Sequence, residues 1–438
     1  MSTASNVPSS HCIYRRQTRC RLCHSSDLKL VTPLEAIPVA EKYADTRDLA
    51  SKVPFIPIDI FMCGACRGVQ IADVIDPEYL WSSYTYWSGQ TPAIVQHFEE
   101  FAAEIKARFF PEPANFVIDV GSNDGSLLKA FRSRGFSVLG VDPATELAAH
   151  ATRQGVETFP QPLTLELARR IRADRGPADL VTAFNVFAHA DDMFGLGQSI
   201  AALLGEDGLF AFEVQYLQDI VDKNLLGTII HEHLNHYSVT TLVTFLKQFS
   251  LELISVKRVS IQKGSIIGIA QPSGGRHNPD GTVEAILAKE KTRNLTSFEA
   301  IEGFGRSISA MRDKVAAALD VVSAKNAGDV VGYGAARSGP TFMYQLGLAE
   351  RLAYLLDDHP QKVGKFSPGN GVQVLPTKEL SRKQPACAVI LAWIHYKTII
   401  SKHIDYLRAG GSFLVLYPEV VLVTIENAGH FLPEGGPR

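Results

Sequence analysis

Short apolar runs alternate with amphipathic helical patterns through the middle of the chain. The runs that predict strands are 116–120, 137–141, 179–184 and 209–214. Helical stretches such as 127–134 and 163–172 fall between them. Strands that alternate with helices pair in parallel, and the helices cover both faces of the resulting sheet. The pattern therefore predicts an α/β domain built on a mostly parallel sheet.

A similar alternation recurs towards the C-terminus. A break rich in glycine, proline and asparagine at 272–281 predicts a linker. Beyond it, apolar residues at three- and four-residue spacing predict a long amphipathic helix: Phe298, Ile301, Phe304, Ile308, Met311, Val315, Leu319 and Val322. Further strand-like runs then follow at 329–334, 352–358, 388–392 and 412–416. We expect a second α/β domain here.

Length and composition indicate how many domains the chain holds. At roughly 150 residues per domain, 438 residues correspond to about three. We expect a disordered lead-in over 1–18, a cysteine-containing module over 19–88, the first α/β domain over 89–271 and the second over 272–438. With 46% hydrophobic and 20% charged residues, the chain has enough apolar material for buried cores.

Charge and hydropathy argue against two classes of partner. The chain carries 43 Lys and Arg against 46 Asp and Glu, so its formal net charge of -3 offers no basic surface for nucleic acid. The longest apolar run, 386–394, is too short to cross the roughly 30 Å hydrocarbon layer of a membrane. The N-terminus shows no secretory signal. We expect a cytoplasmic protein with no nucleic-acid or membrane partner, and the sequence leaves the oligomeric state open, with a monomer as one possibility.

Four of the six cysteines form two pairs with two-residue spacing. Cys20 and Cys23 make the first pair, and Cys63 and Cys66 make the second. Two such pairs supply four thiolates for a tetrahedral zinc ion, each sulfur about 2.3 Å from the metal. The alternative is a redox dithiol or unrelated core cysteines, but neither pair has a thioredoxin-like strand–helix context. We expect a structural zinc site that folds a small module.

A glycine-rich turn follows the first predicted strand, with the sequence VIDVGSNDGS at 117–126. Gly121 and Gly125 let the backbone approach a ligand closely, because no Cβ intervenes. Asp119 and Asp124 would repel a diphosphate, and the turn lacks the lysine of a phosphate-binding loop. S-adenosylmethionine (SAM), which is cationic at its sulfur, fits this charge better than NAD.

The next predicted strand supports the same cofactor. It ends before Asp142 and Pro143, where a carboxylate usually holds the two ribose hydroxyls. The alternative is an ordinary tight turn with a surface aspartate. The residues that we expect around SAM are Asp119, Gly121, Ser122, Asn123, Asp124, Gly125, Asp142, Pro143 and Asn185.

Polar residues also follow the 179–184 run. Asn185 and His189 lie where a parallel sheet opens its ligand crevice, so we expect them to face the cofactor and the substrate. For His189 taken alone, a structural histidine is the alternative.

A histidine cluster occupies 231–237 and contains His231, Glu232, His233 and His236. The spacing differs from the H-E-x-x-H motif of zinc proteases, because the residue four after His231 is Asn235. A metal bound through His233 and His236 lacks a clear set of further ligands. A glutamate beside a histidine instead suits proton abstraction from a carbon acid. The alternative is a polar loop that caps a helix.

With these residues in view, the chain resembles the SAM-dependent sugar C-methyltransferase family over 20–418. The matching motifs are the two cysteine pairs, VIDVGSNDGSLL at 117–128, NVFAH at 185–189, HEHL at 231–234, GYGAARSG at 332–339, LLDDHPQKVGKFSPG at 355–369 and LYP at 416–418. The resemblance implies an N-terminal zinc-binding module, a central class I SAM-methyltransferase domain of Rossmann-like fold and a C-terminal Rossmann-like domain. It also implies a substrate, a nucleotide-diphosphate-linked 4-keto-deoxysugar that is methylated beside its keto group.

The resemblance assigns roles to individual residues. His233 would be the base and Glu232 its partner, while His189 and a tyrosine of the YTYWS segment would stabilise the enolate. Tyr84 and Tyr86 are the candidates, and Tyr86 is slightly preferred. The residues expected on the substrate are His231, Tyr333, Gly334, Arg337 and Ser338. For the C-terminal glycine loop, a plain structural turn is the alternative.

The chain departs from the family pattern at two positions. Ile230 stands where the family often has a tyrosine before the HEH triplet, and Arg337 lies in a loop that often carries a lysine. The sugar, or even the methylated atom, could therefore differ from that of other members. The rival hypotheses are O- or N-methylation of another sugar or small metabolite and a non-catalytic SAM-binding protein. The intact glycine loop and the HEH cluster speak against the second rival.

Overall fold

The computed structural model describes residues 13–81, 87–111 and 115–432. The part before residue 82 consists of short strands and two short helices. These are β1 (Tyr14–Arg16), β2 (Leu28–Thr32), β3 (Ile37–Pro38), α1 (Arg47–Ser51), β4 (Phe55–Ile56), β5 (Ile60–Cys63), β6 (Val69–Ile71), β7 (Asp73–Ile75) and α2 (Pro77–Trp81). The antiparallel strands β5 and β6 are joined by the turn that contains Cys66, so the second cysteine pair lies at a hairpin.

The middle of the chain alternates strands and helices. Its elements are α3 (Pro92–Phe109), β8 (Phe116–Val120), α4 (Ser126–Arg132), β9 (Ser137–Val141), α5 (Thr145–Arg153), β10 (Thr158–Phe159), α6 (Leu165–Arg175), β11 (Ala178–Phe184), α7 (Met193–Leu203), β12 (Leu204–Gln215), α8 (Leu217–Asp222), β13 (Asn235–His236), α9 (Val239–Lys247), β14 (Leu251–Val259) and β15 (Ser265–Pro272). Seven of the strands form one sheet in the order β10-β9-β8-β11-β12-β15-β14. In this sheet β15 is antiparallel to both its neighbours, and the other pairs are parallel. The predicted mostly parallel sheet is confirmed.

The C-terminal part forms a second sheet. Its elements are α10 (Thr282–Arg293), α11 (Phe298–Lys325), β16 (Val330–Tyr333), α12 (Gly339–Gln345), β17 (Leu355–Leu356), β18 (Val374–Leu375), α13 (Glu379–Lys383), β19 (Cys387–Ile390), α14 (Tyr396–Lys402), α15 (Ile404–Arg408), β20 (Phe413–Val415) and β21 (Val421–Val423). The six strands lie in the order β18-β17-β16-β19-β20-β21. The sequence predicted four of them, and β18 and β21 were missed.

The predicted disordered lead-in over 1–18 is wrong at its end. Tyr14–Arg16 is a strand that pairs antiparallel with β7. The Arg16 guanidinium donates hydrogen bonds of 3.0 and 2.7 Å to the two carboxylate oxygens of Asp73, which is fully buried. This bidentate pair fixes the strand against the cysteine module. Residues 1–12 lie outside the described ranges.

A strand from the middle of the chain completes the sheet of the cysteine module. That sheet has the order β13-β6-β5-β2, and Asn235 and His236 pair with Gln70 and Val69. The segment directly after the HEH triplet is therefore an edge strand of the cysteine module.

The long helix α11 lies across the three parts. The predicted apolar stripe is confirmed, since residues from Ile301 to Val322 are buried along one face. The Thr32 hydroxyl of the cysteine module donates to the Ile301 carbonyl at 2.9 Å. The largest hydrophobic core continues from the cysteine module through the first large sheet to residues such as Trp393. The three parts therefore share a core. No helix among the described residues is long and apolar enough to span a membrane.

Candidate active site

The four predicted zinc ligands converge. The sulfur atoms of Cys20, Cys23, Cys63 and Cys66 all lie within 4.8 Å of one another. Cys20 Sγ is 3.5 Å from Cys66 Sγ, and Cys23 Sγ is 3.6 Å from Cys63 Sγ. Ligands about 2.3 Å from a tetrahedral zinc ion lie at such separations from one another. Hydrogen bonding, mainly with the Cys66 thiol, lowers the pKa of Cys20, and the same hydrogen bond raises the pKa of Cys66.

The histidine cluster at 231–236 is not part of a converging group of metal ligands among the described residues. In the described part of the chain, the four cysteines are the one group of at least three His, Cys, Asp or Glu side chains that converges in this way. The chemistry of the histidine cluster must therefore be sought in its hydrogen bonds.

The glycine loop after β8 has the geometry that its sequence predicts. Gly121 and Gly125 have φ values of +71° and +77°. A Cβ on Gly121 would lie 2.3 Å from Val186 Cγ2, so a side chain fits neither the conformation nor the space. The turn leads directly into α4, and Gly125 is the residue that precedes the first turn of this helix.

Two buried carboxylates lie next to this loop, one in β8 and one directly after β9. Asp119 accepts a 2.6 Å hydrogen bond from the Thr182 hydroxyl, and burial raises the pKa of its carboxyl to about 7. Asp142 follows β9 and accepts a 2.7 Å bond from the Asn123 N–H. Burial also raises the pKa of Asp142. A cationic ligand would relieve both groups, which fits SAM.

The loop also anchors the exit of the cysteine module. Asn123 Oδ1 accepts from the Ser88 N–H at 2.9 Å, and Asp124 Oδ2 accepts from the Gly89 N–H at 2.8 Å. Asn123 and Asp124, both predicted to surround SAM, thus hold the segment 88–90 against the loop. The predicted tyrosines Tyr84 and Tyr86 lie outside the described residues. Ser122 is buried beside Gly140, and Pro143 follows Asp142 at the same edge of the sheet.

Asn185 belongs to a buried polar group that the sequence reasoning missed. Its Nδ2 donates to Glu213 Oε1 at 2.8 Å, and Glu213 Oε2 lies 2.5 Å from His97 Nε2. Glu213 is fully buried near the end of β12. The available signal was a carboxylate inside the apolar run Phe210–Val214. This group fixes Asn185 at the carboxyl end of β11.

His189 and His233 meet in the structure. Their rings lie edge to face, with centroids 5.1 Å apart and an interplanar angle of 87°. His233 Nδ1 is 2.7 Å from the Thr228 carbonyl oxygen, so Nδ1 carries the hydrogen and Nε2 has the lone pair. Burial lowers the pKa of His233 to about 4 and that of His189 well below its usual value. Both rings are therefore neutral at pH 7.

Glu232 contacts Arg337 from the C-terminal loop. The Arg337 guanidinium donates to Glu232 Oε1 at 2.9 Å, and the Glu232 side chain is 4% exposed. Glu232 Oε2 is buried and has no hydrogen-bond partner among the described residues. Burial raises the pKa of Glu232, and Arg337 opposes this shift. The backbone of Thr228, and not Glu232, holds the His233 ring.

The other two histidines of the cluster face the cysteine module. His231 Nε2 lies 3.1 Å from the Ile56 carbonyl oxygen of β4, and burial lowers the pKa of His231 to about 4. His236 lies in β13, and burial lowers its pKa to about 3. His233 also contributes to the lowered pKa of His236, so His236 lies near the pair formed by His189 and His233.

The C-terminal glycine loop is tied to residues that the sequence reasoning left unassigned. The Ala335 N–H donates to Asp357 Oδ2 at 2.7 Å, and the Lys362 ammonium donates to the Ala335 carbonyl at 2.8 Å. Lys362 also pairs with Glu41 of the cysteine module at 2.9 Å. The available signal was the acidic and basic positions within 355–369.

The predicted substrate residues of this loop point in different directions. Tyr333 Oη lies 2.7 Å from His403 Nε2, within the C-terminal part. Gly334 has a φ of +102°, and Ser338 is buried directly before α12. Of the five residues predicted to contact substrate, Arg337 reaches the group formed by His189, Glu232 and His233.

Comparison with known families agrees with this arrangement. Residues 20–81 match a zinc binding domain, residues 95–256 match a methyltransferase domain, and residues 260–418 match a C-methyltransferase C-terminal domain. With the sheet order and the cysteine cluster, these matches define a SAM-dependent methyltransferase that contains zinc. The middle domain has the class I methyltransferase fold, as predicted.

The chain belongs to the C-methyltransferase family. It is 30% identical to the C-methyltransferase NovU of Streptomyces niveus over 416 residues, which cover 95% of this chain and 99% of that protein. The resemblance seen in the sequence is thereby confirmed.

Solved structures of other methyltransferases cover less of the chain. The magnesium protoporphyrin IX methyltransferase of Synechocystis with bound SAH is 17% identical, covers 45% of this chain and 92% of its own, and has a TM-score of 0.35. An S-adenosylmethionine-dependent methyltransferase of Clostridium acetobutylicum is 14% identical, covers 45% and 96%, and has a TM-score of 0.33.

Proposed function

We propose that the enzyme transfers the methyl group of SAM to the carbon beside the keto group of a nucleotide-diphosphate-linked 4-keto-deoxysugar. The observation that carries this proposal is the protonation of His233. Because its Nδ1 donates to the Thr228 carbonyl, Nε2 has an available lone pair. Burial keeps the ring neutral, with a pKa of about 4. A neutral imidazole that is partly exposed to a ligand can accept a proton from a carbon acid.

The reaction would use this lone pair first. The hydrogen beside a carbonyl is acidic because the carbanion delocalises into an enolate. His233 takes the proton at Nε2, and the negative enolate beside the ring stabilises the imidazolium. When bound, SAM supplies an electrophilic methyl group on a sulfonium. Asp119, Asp142 and the glycine loop would hold SAM, and the enolate carbon would take its methyl group while the electron pair of the broken C–S bond stays on sulfur.

The enolate oxygen requires hydrogen-bond donors, because charge develops on it during the reaction. His189 lies beside His233 and is our candidate for one donor. Tyr86, or else Tyr84, is our candidate for another. The hydrogen bonds from Ser88 and Gly89 to the cofactor loop support this, because Tyr86 is two residues before Ser88 in the sequence.

Arg337 is our first candidate for contact with the nucleotide sugar. Its side chain is 27% exposed while it touches buried Glu232, so it can reach a ligand from the edge of the site. Tyr333, Gly334, Ser338 and His231 remain proposed substrate residues with weaker support, because their contacts lie elsewhere. We further expect the enzyme to work in the cytoplasm, since a reducing compartment keeps the four cysteines available for zinc.

Exchange of the substrate's proton tests this proposal. Nucleotide-4-ketosugars are incubated in deuterium oxide without SAM, and loss of the proton beside the keto group is followed by NMR. We expect exchange with wild type and with the control His430→Gln, which changes an exposed histidine. We expect a fall of at least about 100-fold in His233→Gln, since a general base contributes that much.

Two outcomes would contradict the proposal. Methyl transfer at the wild-type rate by His233→Gln would show that another group is the base. Methylation of a sugar whose 4-keto group has been reduced would favour O-methylation, because that reaction needs no adjacent carbonyl. SAM binding by calorimetry should be unchanged in His233→Gln, which separates loss of the base from loss of the cofactor.

A further inference from the structure

Arg21 lies between the two cysteines of the first pair, and the proposed function assigns no role to it. It is 3% exposed, and its side chain is fully buried. A buried guanidinium is unfavourable unless it is paired and hydrogen-bonded. Its position is also fixed from the backbone, because Cys20 and Cys23 both belong to the zinc site.

The Arg21 side chain contacts the segments that carry both central histidines. Its Nε donates to Asp191 Oδ1 at 2.9 Å, and Asp191 lies two residues after His189. Its Nη1 donates to the Ile71 carbonyl at 2.7 Å and makes a longer contact of 3.5 Å with the Leu234 carbonyl. Leu234 directly follows His233.

The segment that follows His189 and the segment that follows His233 are also hydrogen-bonded to each other. The Asn235 N–H donates to the Ala188 carbonyl at 3.2 Å, and Asn235 Nδ2 donates to the Ala190 carbonyl at 3.0 Å. The Ile71 N–H donates to the Leu234 carbonyl at 3.0 Å, which joins the pair to the sheet of the cysteine module. Arg21 joins this frame to the zinc site, because its backbone lies between Cys20 and Cys23.

We propose that Arg21 is a positioning residue that sets the distance and angle between His189 and His233. The zinc site holds the Arg21 backbone, and the planar guanidinium fixes Asp191 on one side and residues 71 and 234 on the other. The inference rests on the proposed function, in which His233 is the base. Zinc then influences catalysis through Arg21 as well as through folding. Small displacements of reacting groups lower rates strongly, so the frame matters for turnover.

The test compares four variants. Arg21→Gln removes the guanidinium, Arg21→Lys keeps the charge without its planar geometry, and Asp191→Asn removes the charge of the partner. The control is Arg15→Gln, because Arg15 also pairs with Asp191, but its side chain is 58% exposed. For each variant we measure zinc per chain, the Kd for SAM, kcat and KM. The NMR signals of His189 and His233 are followed in protein labelled at the histidine rings.

We expect Arg21→Gln to retain about one zinc per chain and a SAM Kd within about twofold of wild type. Its kcat should fall about 10- to 100-fold with little change in KM, as for a misplaced catalytic group. The signals of His189 and His233 should shift. Arg21→Lys should recover part of the rate, and Arg15→Gln should match wild type in every measurement.

Unmoved histidine signals in Arg21→Gln, with an unchanged kcat, would overturn the proposal. So would equal losses of zinc, SAM binding and kcat without recovery in Arg21→Lys, because those indicate a purely structural role. If Arg21→Gln does not fold, Asp191→Asn decides: a shifted His189 signal with lower kcat supports the proposal, and wild-type behaviour refutes it. The NMR readout needs no substrate, so it separates this inference from failure of the proposed function.

Discussion

The two glycine loops of this enzyme share one backbone arrangement. Each follows a strand inside a parallel sheet, β8 in one case and β16 in the other. Each contains a glycine with positive φ, Gly121 at +71° and Gly334 at +102°. Each is held by an aspartate that follows the neighbouring strand, since Asp142 and Asp357 both accept a 2.7 Å bond from a loop N–H.

The two loops differ in the charges around them. Asp119 and Asp142 are buried beneath the first, with raised pKa values that a cationic ligand would relieve. The second is surrounded by Arg337 and Lys362, and each of these pairs with a carboxylate from another part of the chain. We therefore propose that similar loops serve two purposes: the first would receive the cofactor, while Arg337 and Lys362 at the second pair with the other two parts of the protein.

Replacing one glycine of each loop by alanine should show most clearly that the two loops have different roles. In Gly121→Ala the new Cβ would meet Val186 Cγ2 at 2.3 Å, so we expect the Kd for SAM to rise at least about 100-fold. In Gly334→Ala the new Cβ would lie 2.6 Å from Ala392 Cβ, so we expect a lower melting temperature. Calorimetric titration and thermal unfolding check both variants. Equal loss of SAM binding in the two would contradict the division of roles.

Removal of the Arg337 cation tests the second loop alone. In Arg337→Gln the buried Glu232 loses its ion-pair partner, and we expect a loss of about 1–3 kcal/mol in the free energy of unfolding at pH 8. The pKa of folded Glu232 then rises further above its unfolded value, so the variant should lose stability as pH rises. Urea unfolding at pH 6 and pH 8 measures this.

The control for that change is the double variant Arg337→Gln/Glu232→Gln. The side chain at position 232 can no longer ionise. The double variant should therefore recover part of the free energy of unfolding that Arg337→Gln loses at pH 8. The SAM Kd should stay within about threefold of wild type in both variants, because the first loop is untouched. A large fall in SAM affinity would show that the loops are not separate.

A smaller effect should appear in the pH dependence of SAM binding at the first loop. Burial raises the pKa of Asp119 to about 7, and a bound cation favours its ionised form. SAM binding therefore expels a proton below pH 7, and affinity should increase about tenfold from pH 6 to pH 8. Asp119→Asn should remove this slope, while Arg337→Gln should keep it. The Kd for SAM is measured by calorimetry from pH 6 to pH 8. A wild-type Kd that does not change over this range would refute the role assigned to Asp119.

Local sequence patterns predicted much of this molecule. The apolar runs of β8, β9, β11 and β12 marked the first sheet, since a strand buried on both faces is apolar along its length. The spacing of the cysteines predicted their convergence, because a two-residue gap directs both sulfur atoms towards one centre. The φ values of Gly121 and Gly125 agree with the tight turn expected before α4.

Contacts distant in sequence could not be predicted in the same way. The pairing of Glu232 with Arg337 spans 105 residues, and that of Arg21 with Asp191 spans 170. Such pairs depend on how the three parts are placed together, and neither partner shows a periodic signal. The same holds for β13, whose two residues join a sheet formed about 165 residues earlier.

The position of the transferred methyl group tests the central claim most directly. Wild-type enzyme is incubated with SAM labelled with carbon-13 at its methyl group and with a panel of nucleotide-4-ketosugars, and the product is examined by carbon NMR and mass. We expect a new carbon–carbon bond at the carbon beside the keto group. Label on an oxygen or a nitrogen, or transfer to a sugar that lacks the keto group, would contradict it.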